Sequence, residues 1–345
     1  MTNKSHPSLP AHDVWLDYLK IFAAFLVVLQ HSISGTWTTY GPDTATWKVT
    51  NFFFILSRSA VVLFFMCSGA GILKRPHSME EVFKKNILQL LKAYLCWMLI
   101  YGLFDSISLI QEGLGSFATI ANAFMKCILF GKYHTWFIFA LIGLYLITPF
   151  LDTLIESRQK MRYFLLLSLF FSVIVPILAS IPFLERISSN LANFRMQFVT
   201  GYILYYVAGY YLTRIEWKPL YSVIAFFTLI ASYSFALLYS THISILLDSP
   251  RQEIYDEFGA CGFLIAVSIF SLFRGLTHLK ESRAASRLLK LGIGIYLLHP
   301  LLLPFFDGFV GLQRLLMAFI LYAISVSLCF FISKNRLLRN LLLKS

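Results

Sequence analysis

The sequence predicts an all-α, polytopic membrane protein with about ten transmembrane helices and both termini in the cytoplasm. Three observations support this prediction. First, 58% of the 345 residues are hydrophobic and only 13% are charged, whereas a soluble domain usually carries about 25% charged residues. Second, the mean hydropathy is +0.72. Third, the apolar residues are gathered in runs, and many of these approach the roughly 20 residues that a helix needs to cross a bilayer.

Ten apolar stretches are predicted as spans. The sixth, eighth and ninth are short and contain glycine or proline, and the first lacks the cleavage site that ends a signal peptide. A further piece, 117–130, is too short to cross and is predicted as an interfacial or re-entrant segment. The predicted spans are 16–33, 52–73, 87–109, 136–155, 163–184, 198–212, 220–241, 258–273, 291–306 and 313–333.

Lysine and arginine are distributed unevenly between these spans. With the N-terminus in the cytoplasm, 19 of the 29 fall in cytoplasmic segments and 7 in outer loops, which is the asymmetry that sets membrane orientation. The net charge of +12 is therefore no sign of nucleic-acid binding. The 5 cysteines lie in apolar runs and do not suggest a disulfide scaffold. We expect a single membrane domain over 1–345, without a soluble domain.

Ionisable residues inside spans are costly and are the first candidates for a functional site. Lys20 and His31 lie 11 residues apart in the first span, on one face and roughly 16 Å apart along the axis. Arg58 lies one to two helical turns inside the second predicted span, so its depth in the membrane should be close to that of His31. Alternatives remain open, because Lys20 and Arg58 can extend towards the interface and His31 can mark a helix end.

Other polar or aromatic candidates stand near the same predicted outer side. His134 and Trp136 begin the fourth span, where tryptophan is also common as an interfacial residue. His299 precedes a proline that can kink the ninth span, and a packing role is the alternative. Ser68 is followed by a glycine, a pair that permits either close helix packing or contact with a ligand.

The motifs that the sequence lacks exclude several classes of functional site. The chain has no metal-binding motif, so we expect no metal, and it has no nucleophile elbow, Walker loop or dinucleotide fingerprint. What remains is a histidine and an arginine near the outer side, with cations near the inner side. Such a polar axis suits an enzyme whose donor enters from the cytoplasm, and it suits a transport pathway equally well.

Four stretches, in this order along the chain, resemble the integral-membrane acyltransferase family 3. The first begins with an aspartate, a basic residue three positions later and a histidine eleven positions after that, as the family's opening helix does. The resemblance covers nearly the whole chain and is nearest to the branch that contains the enterobacterial common antigen O-acetyltransferase. The stretches are Trp15 to His31, Ser57 to Gly69, His134 to Pro149 and Gly294 to Pro300.

The resemblance implies an O-acyltransferase of the bacterial inner membrane. It would move an acyl group, usually acetyl from acetyl-CoA, to a sugar hydroxyl of a cell-surface polysaccharide or of its lipid-linked glycan precursor. His31 matches the essential histidine, and a neutral imidazole can take the hydroxyl proton during attack on the thioester. Arg58 would orient the substrate or stabilise the oxyanion. The residues expected to contact the acceptor are His134, Trp136, His299 and Ser68.

The donor is expected at the inner side. Lys20 matches the family's arginine and would contact the phosphates of CoA, although lysine lacks the bidentate geometry of arginine. Asn86 and Gln89 stand where many members carry arginine. The lysines expected to assist are Lys84, Lys85 and Lys92, the last of which can instead extend to the interface.

Two alternatives stay open. A transporter or flippase for a lipid-linked sugar would line its pathway with similar charges, although no inverted repeat of the kind common in transporters is visible. A succinyl or longer acyl donor would keep the fold and change only the donor pocket.

Overall fold

The computed structural model describes residues 13–343 except 182 and 277. Lys4 and Lys344, which contribute to the predicted cytoplasmic charge, lie outside the described residues. Within that range the regular structure is helical throughout, and 8 helical segments are long and apolar enough to cross a membrane. The prediction of an all-α, multi-pass membrane protein is confirmed.

The N-terminal half is a series of helices, several of them joined through short 3₁₀ or π-helical turns. The helices are α1 (Val14–Thr39), α2 (Ala45–Arg58), α3 (Ala60–Ile72), α4 (Met79–Val82), α5 (Leu88–Gln111), α6 (Phe117–Phe130), α7 (Trp136–Ile147), α8 (Asp152–Ile155), α9 (Arg158–Leu169), α10 (Val175–Ala179) and α11 (Glu185–Ala192). Two breaks are local, since α2 and α3 together form one apolar segment and α4 continues into α5 through a π turn.

The C-terminal half contains longer, less interrupted helices. They are α12 (Ile203–Arg214), α13 (Pro219–Leu246), α14 (Ala260–Gly275), α15 (Arg283–Leu302), α16 (Gln313–Lys334) and α17 (Arg336–Leu342). Eight of the ten predicted spans coincide with the long apolar segments. The other two correspond to α12 and α14, of 12 and 16 residues, so the number ten stays a prediction, as does the side on which the termini lie.

Helix α1 is surrounded by other helices. It packs against α2, α3, α14, α15 and α16, and Leu19, Val28 and Ile33 on it are at most 1% exposed. A helix that is apolar on every side is typical of such a buried position. The polar residues of α1 therefore meet neighbouring helices, which is the reason that a site can form around them.

Helices α3 and α12 approach each other at two glycines. A Cβ atom added at Gly69 would overlap the carbonyl oxygen of Tyr206, and one added at Gly209 would overlap that of Met66. Small residues allow helices to pack this closely. The glycine that follows Ser68 therefore serves helix packing, which was one of its two predicted roles.

Candidate functional site

Two histidines, from α1 and α15, form a hydrogen-bonded pair whose ring planes are nearly parallel. Nδ1 of His31 lies 2.7 Å from Nε2 of His299, and the ring centroids are 5.0 Å apart with 11° between the planes. His299 is fully buried and His31 is half-buried. The packing of α1 against α15 thus brings together two predicted site residues that are 268 positions apart.

The surroundings of this histidine pair fix where its hydrogens lie when both rings are neutral. Nδ1 of His299 is 2.9 Å from the carbonyl oxygen of Ile295, and because a carbonyl only accepts, this Nδ1 carries a hydrogen. Nε2 of His299 must then accept the hydrogen of Nδ1 of His31. Nε2 of His31 is left with its lone pair and with no hydrogen-bond partner among the described residues. That atom is therefore able to accept a proton.

His134 lies beside the pair. Its ring centroid is 6.5 Å from that of His299, its side chain is 1% exposed, and neither ring nitrogen has a partner in the described part of the chain. An unpaired buried polar group costs about 1–3 kcal/mol, and most such groups are paired. The two nitrogens are thus free to bond a hydroxyl or a water molecule.

The three imidazoles do not make a metal site. Between residues 13 and 343, with 182 and 277 left aside, no group of three or more His, Cys, Asp or Glu side chains could hold a metal ion.

Tyr133, which sequence reasoning did not identify, stands edge-on to His31 with the ring centroids 5.4 Å apart. Its only signal in the sequence is its position next to His134.

Arg58 is bound to the loop between α13 and α14. Its Nη2 atom donates to Oδ1 of Asp256 and also lies 2.5 Å from Oε2 of Glu257. The Arg58 side chain is only 15% exposed. Its single positive charge is in contact with two carboxylates. The contacts give Arg58 a role in anchoring this acidic loop, while its contact with a substrate or oxyanion stays a prediction.

Trp136 stands at the start of α7, partly exposed. Its ring stacks on Tyr202, which precedes α12, with centroids 5.4 Å apart, and 39% of the residue is exposed. The exposed part is compatible with both predicted roles, an interfacial position and contact with an acceptor.

A cavity of about 360 Å³, which we call the first cavity, has Lys20 and Tyr296 in its wall, whereas His31 and His299 do not line it. Along α15 it follows the wall from Leu288 to Tyr296, and the ring of Tyr296 is also a neighbour of His299, with centroids 6.2 Å apart. Most of its lining is apolar, and Ser68 faces it from α3. Its polar lining near the start of α1 includes Lys20, Asn86 and Lys290.

The lysines predicted to bind the donor are placed differently from one another. Lys20 lines the first cavity and has no ion pair with a residue of the described range. Lys84 and Lys85 are exposed and pair with glutamates one helical turn earlier, at 2.5 Å and 3.0 Å, and Lys92 is exposed. Asn86, at a position where arginine is common in similar sequences, lies in the cavity wall.

Comparison with known proteins gives one result that bears on this geometry. A family model described as an acyltransferase domain matches residues 13–334, a range that includes the histidine pair and nearly all of the cavity wall. Neither a curated protein nor a solved structure matches the chain significantly. Because the match covers most of the chain, the protein is a membrane acyltransferase and belongs to acyltransferase family 3.

Proposed function

We propose that the protein transfers an acetyl group from cytoplasmic acetyl-CoA to a sugar hydroxyl, with His31 as the general base. The acceptor in this proposal is a cell-surface polysaccharide or its lipid-linked precursor, and the location is the bacterial inner membrane. The observation that carries the proposal is the histidine pair, because it leaves Nε2 of His31 as a proton acceptor. Family membership supports acyl transfer, and the resemblance to O-acetyltransferases of surface glycans supports the acceptor.

The proposed reaction needs one base that later acts as an acid. Nε2 of His31 takes the proton of the sugar hydroxyl while the oxygen attacks the carbonyl carbon of the thioester. The C–S bond then breaks, the acetyl ester remains on the sugar, and the proton on His31 passes to the leaving thiolate to give free CoA. No oxidant or metal is required for this balance.

His299 holds the base in place during this sequence. Its Nε2 atom accepts the Nδ1 hydrogen of His31, and the carbonyl of Ile295 accepts from its Nδ1 atom. A third group that orients the base is the general arrangement of activated nucleophiles. His299 is therefore a positioning residue. When His31 takes the proton, the hydrogen bond from its Nδ1 atom to the lone pair on Nε2 of His299 stabilises the positive charge of the ring.

The two substrates would approach from opposite sides. The first cavity is lined by Lys20 and by Tyr296, whose ring neighbours His299, and the roughly 16 Å between Lys20 and His31 along α1 suits an extended pantetheine arm. On the other side, the unpaired nitrogens of His134 would bond acceptor hydroxyls, and Trp136 offers a partly exposed ring.

The test compares surface glycans from cells with and without the protein by mass spectrometry, followed by assay of free CoA with purified protein. We expect O-acetyl groups only when the protein is present, and release of CoA from acetyl-CoA in the presence of the acceptor. Succinyl-CoA and longer acyl-CoA donors are tested in parallel, and preference for one of them would replace acetyl as the donor. Relocation of an unmodified lipid-linked sugar without release of CoA would instead identify a flippase.

A further inference from the structure

A second cavity, of about 520 Å³, lies between the beginning of α1 and the beginning of α15. The proposed reaction does not use it. Unlike the first cavity, it is lined mainly by polar and charged residues. They are Asp17 and Tyr18 on α1, and Glu281, Ser282, Arg283, Ser286, Arg287 and Lys290 in and before α15.

The two cavities adjoin each other. Lys290 is part of both walls, so the two cavities are neighbours at this residue. Along α15 the sequence of positions is Arg283, Lys290, Tyr296 and His299, and the first and last of these, 16 positions apart, are separated by about 24 Å along the axis. Helix α15 therefore borders both cavities and also carries His299 further along its length.

The positive charges of the second cavity are available to a ligand. Arg283, Arg287 and Lys290 are spaced by four and three residues, which places them on one face of α15. None of the three forms an ion pair with another residue that the structure describes, whereas Lys84 and Lys85 are each matched by a glutamate. Unpaired arginines bind phosphate through charge-assisted, often bidentate hydrogen bonds.

We propose that the second cavity binds the phosphorylated nucleotide end of acyl-CoA, with Arg283, Arg287 and Lys290 on its phosphates. This inference rests on the proposed function, since it takes an acyl-CoA as the donor. The charged cavity suits a nucleoside diphosphate with a further phosphate on its ribose, and the mostly apolar first cavity suits the thioester arm. The charged end of the donor is thereby assigned to α15 instead of to the lysines next to α4 and α5.

The test uses a double variant, Arg283→Gln with Arg287→Gln, and two donors. One donor is acetyl-CoA, and the other is S-acetyl-pantetheine, which has the same thioester arm without the nucleotide and without any phosphate. We expect the KM for acetyl-CoA to rise about tenfold or more, since hydrogen bonds to charged groups are lost, while kcat changes less than about twofold. The KM for the short donor should stay unchanged.

Arg336→Gln is the matched control, because this arginine is exposed and lines neither cavity. It should leave both KM values unchanged. An unaltered KM for acetyl-CoA in the double variant, or an equal rise for both donors, would overturn the inference and leave the proposed function standing. A wild-type protein that consumes no acyl-CoA would overturn both.

A second measurement needs no variant and so does not depend on the variant's folding. The wild-type protein should show a higher KM for 3′-dephospho-acetyl-CoA than for acetyl-CoA, because one phosphate is missing from the cationic wall. Equal KM values for these two donors and for S-acetyl-pantetheine would contradict a nucleotide-binding role of the second cavity.

Discussion

The position of the free lone pair on His31 depends on atoms that are remote from it in the sequence. The carbonyl of Ile295 determines the hydrogen position on His299, and His299 determines that on His31. The sequence identified both histidines as candidates because ionisable residues are conspicuous in apolar runs. It could not predict that they touch, because their contact depends on the packing of two helices at opposite ends of the chain.

Arg58 provides a second case at the residue scale. The sequence identified Arg58 as a candidate, while its partners Asp256 and Glu257 lie 198 and 199 positions later, in the loop between α13 and α14. The ion pairs between them could not be predicted, since nothing in the sequence sets the position of that loop against α2.

We expect Arg58→Gln to lower the free energy of unfolding by about 1–3 kcal/mol, because it leaves two carboxylates without their partner. Thermal unfolding of the purified protein measures this effect. Arg251→Gln is the control, since it breaks a more exposed pair with Glu253 and should cost less than about 1 kcal/mol. Equal destabilisation by the two substitutions would contradict the anchoring role of Arg58.

At the scale of helices, the predicted boundaries differ from the structure where polar residues continue a helix. The ninth predicted span begins at residue 291, but α15 begins at Arg283. The two turns from Arg283 to Lys290 are helical, and their charged residues keep them out of the apolar run. Helix α1 extends beyond its predicted end to Thr39, and near that end Trp37 donates to Oδ1 of Asn51 at 3.0 Å. Hydropathy detects the membrane-crossing part of a helix and misses such extensions.

The crossing of α3 and α12 gives a prediction at the same scale. We expect Gly69→Ala and Gly209→Ala each to destabilise the protein by about 1–3 kcal/mol or to prevent folding, because the added methyl group overlaps a backbone carbonyl. Gly143→Ala in α7 is the control, since a Cβ there meets nothing within 4 Å, and it should be neutral or stabilising by up to about 1 kcal/mol. Thermal stability after purification distinguishes them, and three equal results would refute the close crossing.

For the whole molecule, composition and the order of the motifs were sufficient to predict an all-α membrane protein and its family. They did not predict the cavities, because a cavity depends on how several helices pack together and not on the spacing of residues within one helix. The orientation rests on the distribution of lysine and arginine, and it needs a test of its own.

We expect the loop that contains Glu253 to face outward and the segment that contains Glu216 to face the cytoplasm. A membrane-impermeant maleimide should therefore label Glu253→Cys in intact cells, and Glu216→Cys only after lysis. Both positions are exposed, whereas four of the five native cysteines are buried and Cys96 is partly buried within the apolar helix α5, so the background should be low. Labelling of Glu216→Cys alone in intact cells would reverse the orientation.

The claim that His31 and His299 act as one base is tested most directly by the turnover of acetyl-CoA in four forms of the protein. These are the wild type, His31→Ala, His299→Ala and the double variant, each checked for folding by thermal unfolding. We expect either single substitution to lower kcat by about 10²-fold or more, and the double variant to be no slower than His31→Ala, because residues that act as a unit are not additive. Wild-type turnover by folded His31→Ala, or single effects that multiply in the double variant, would contradict the claim.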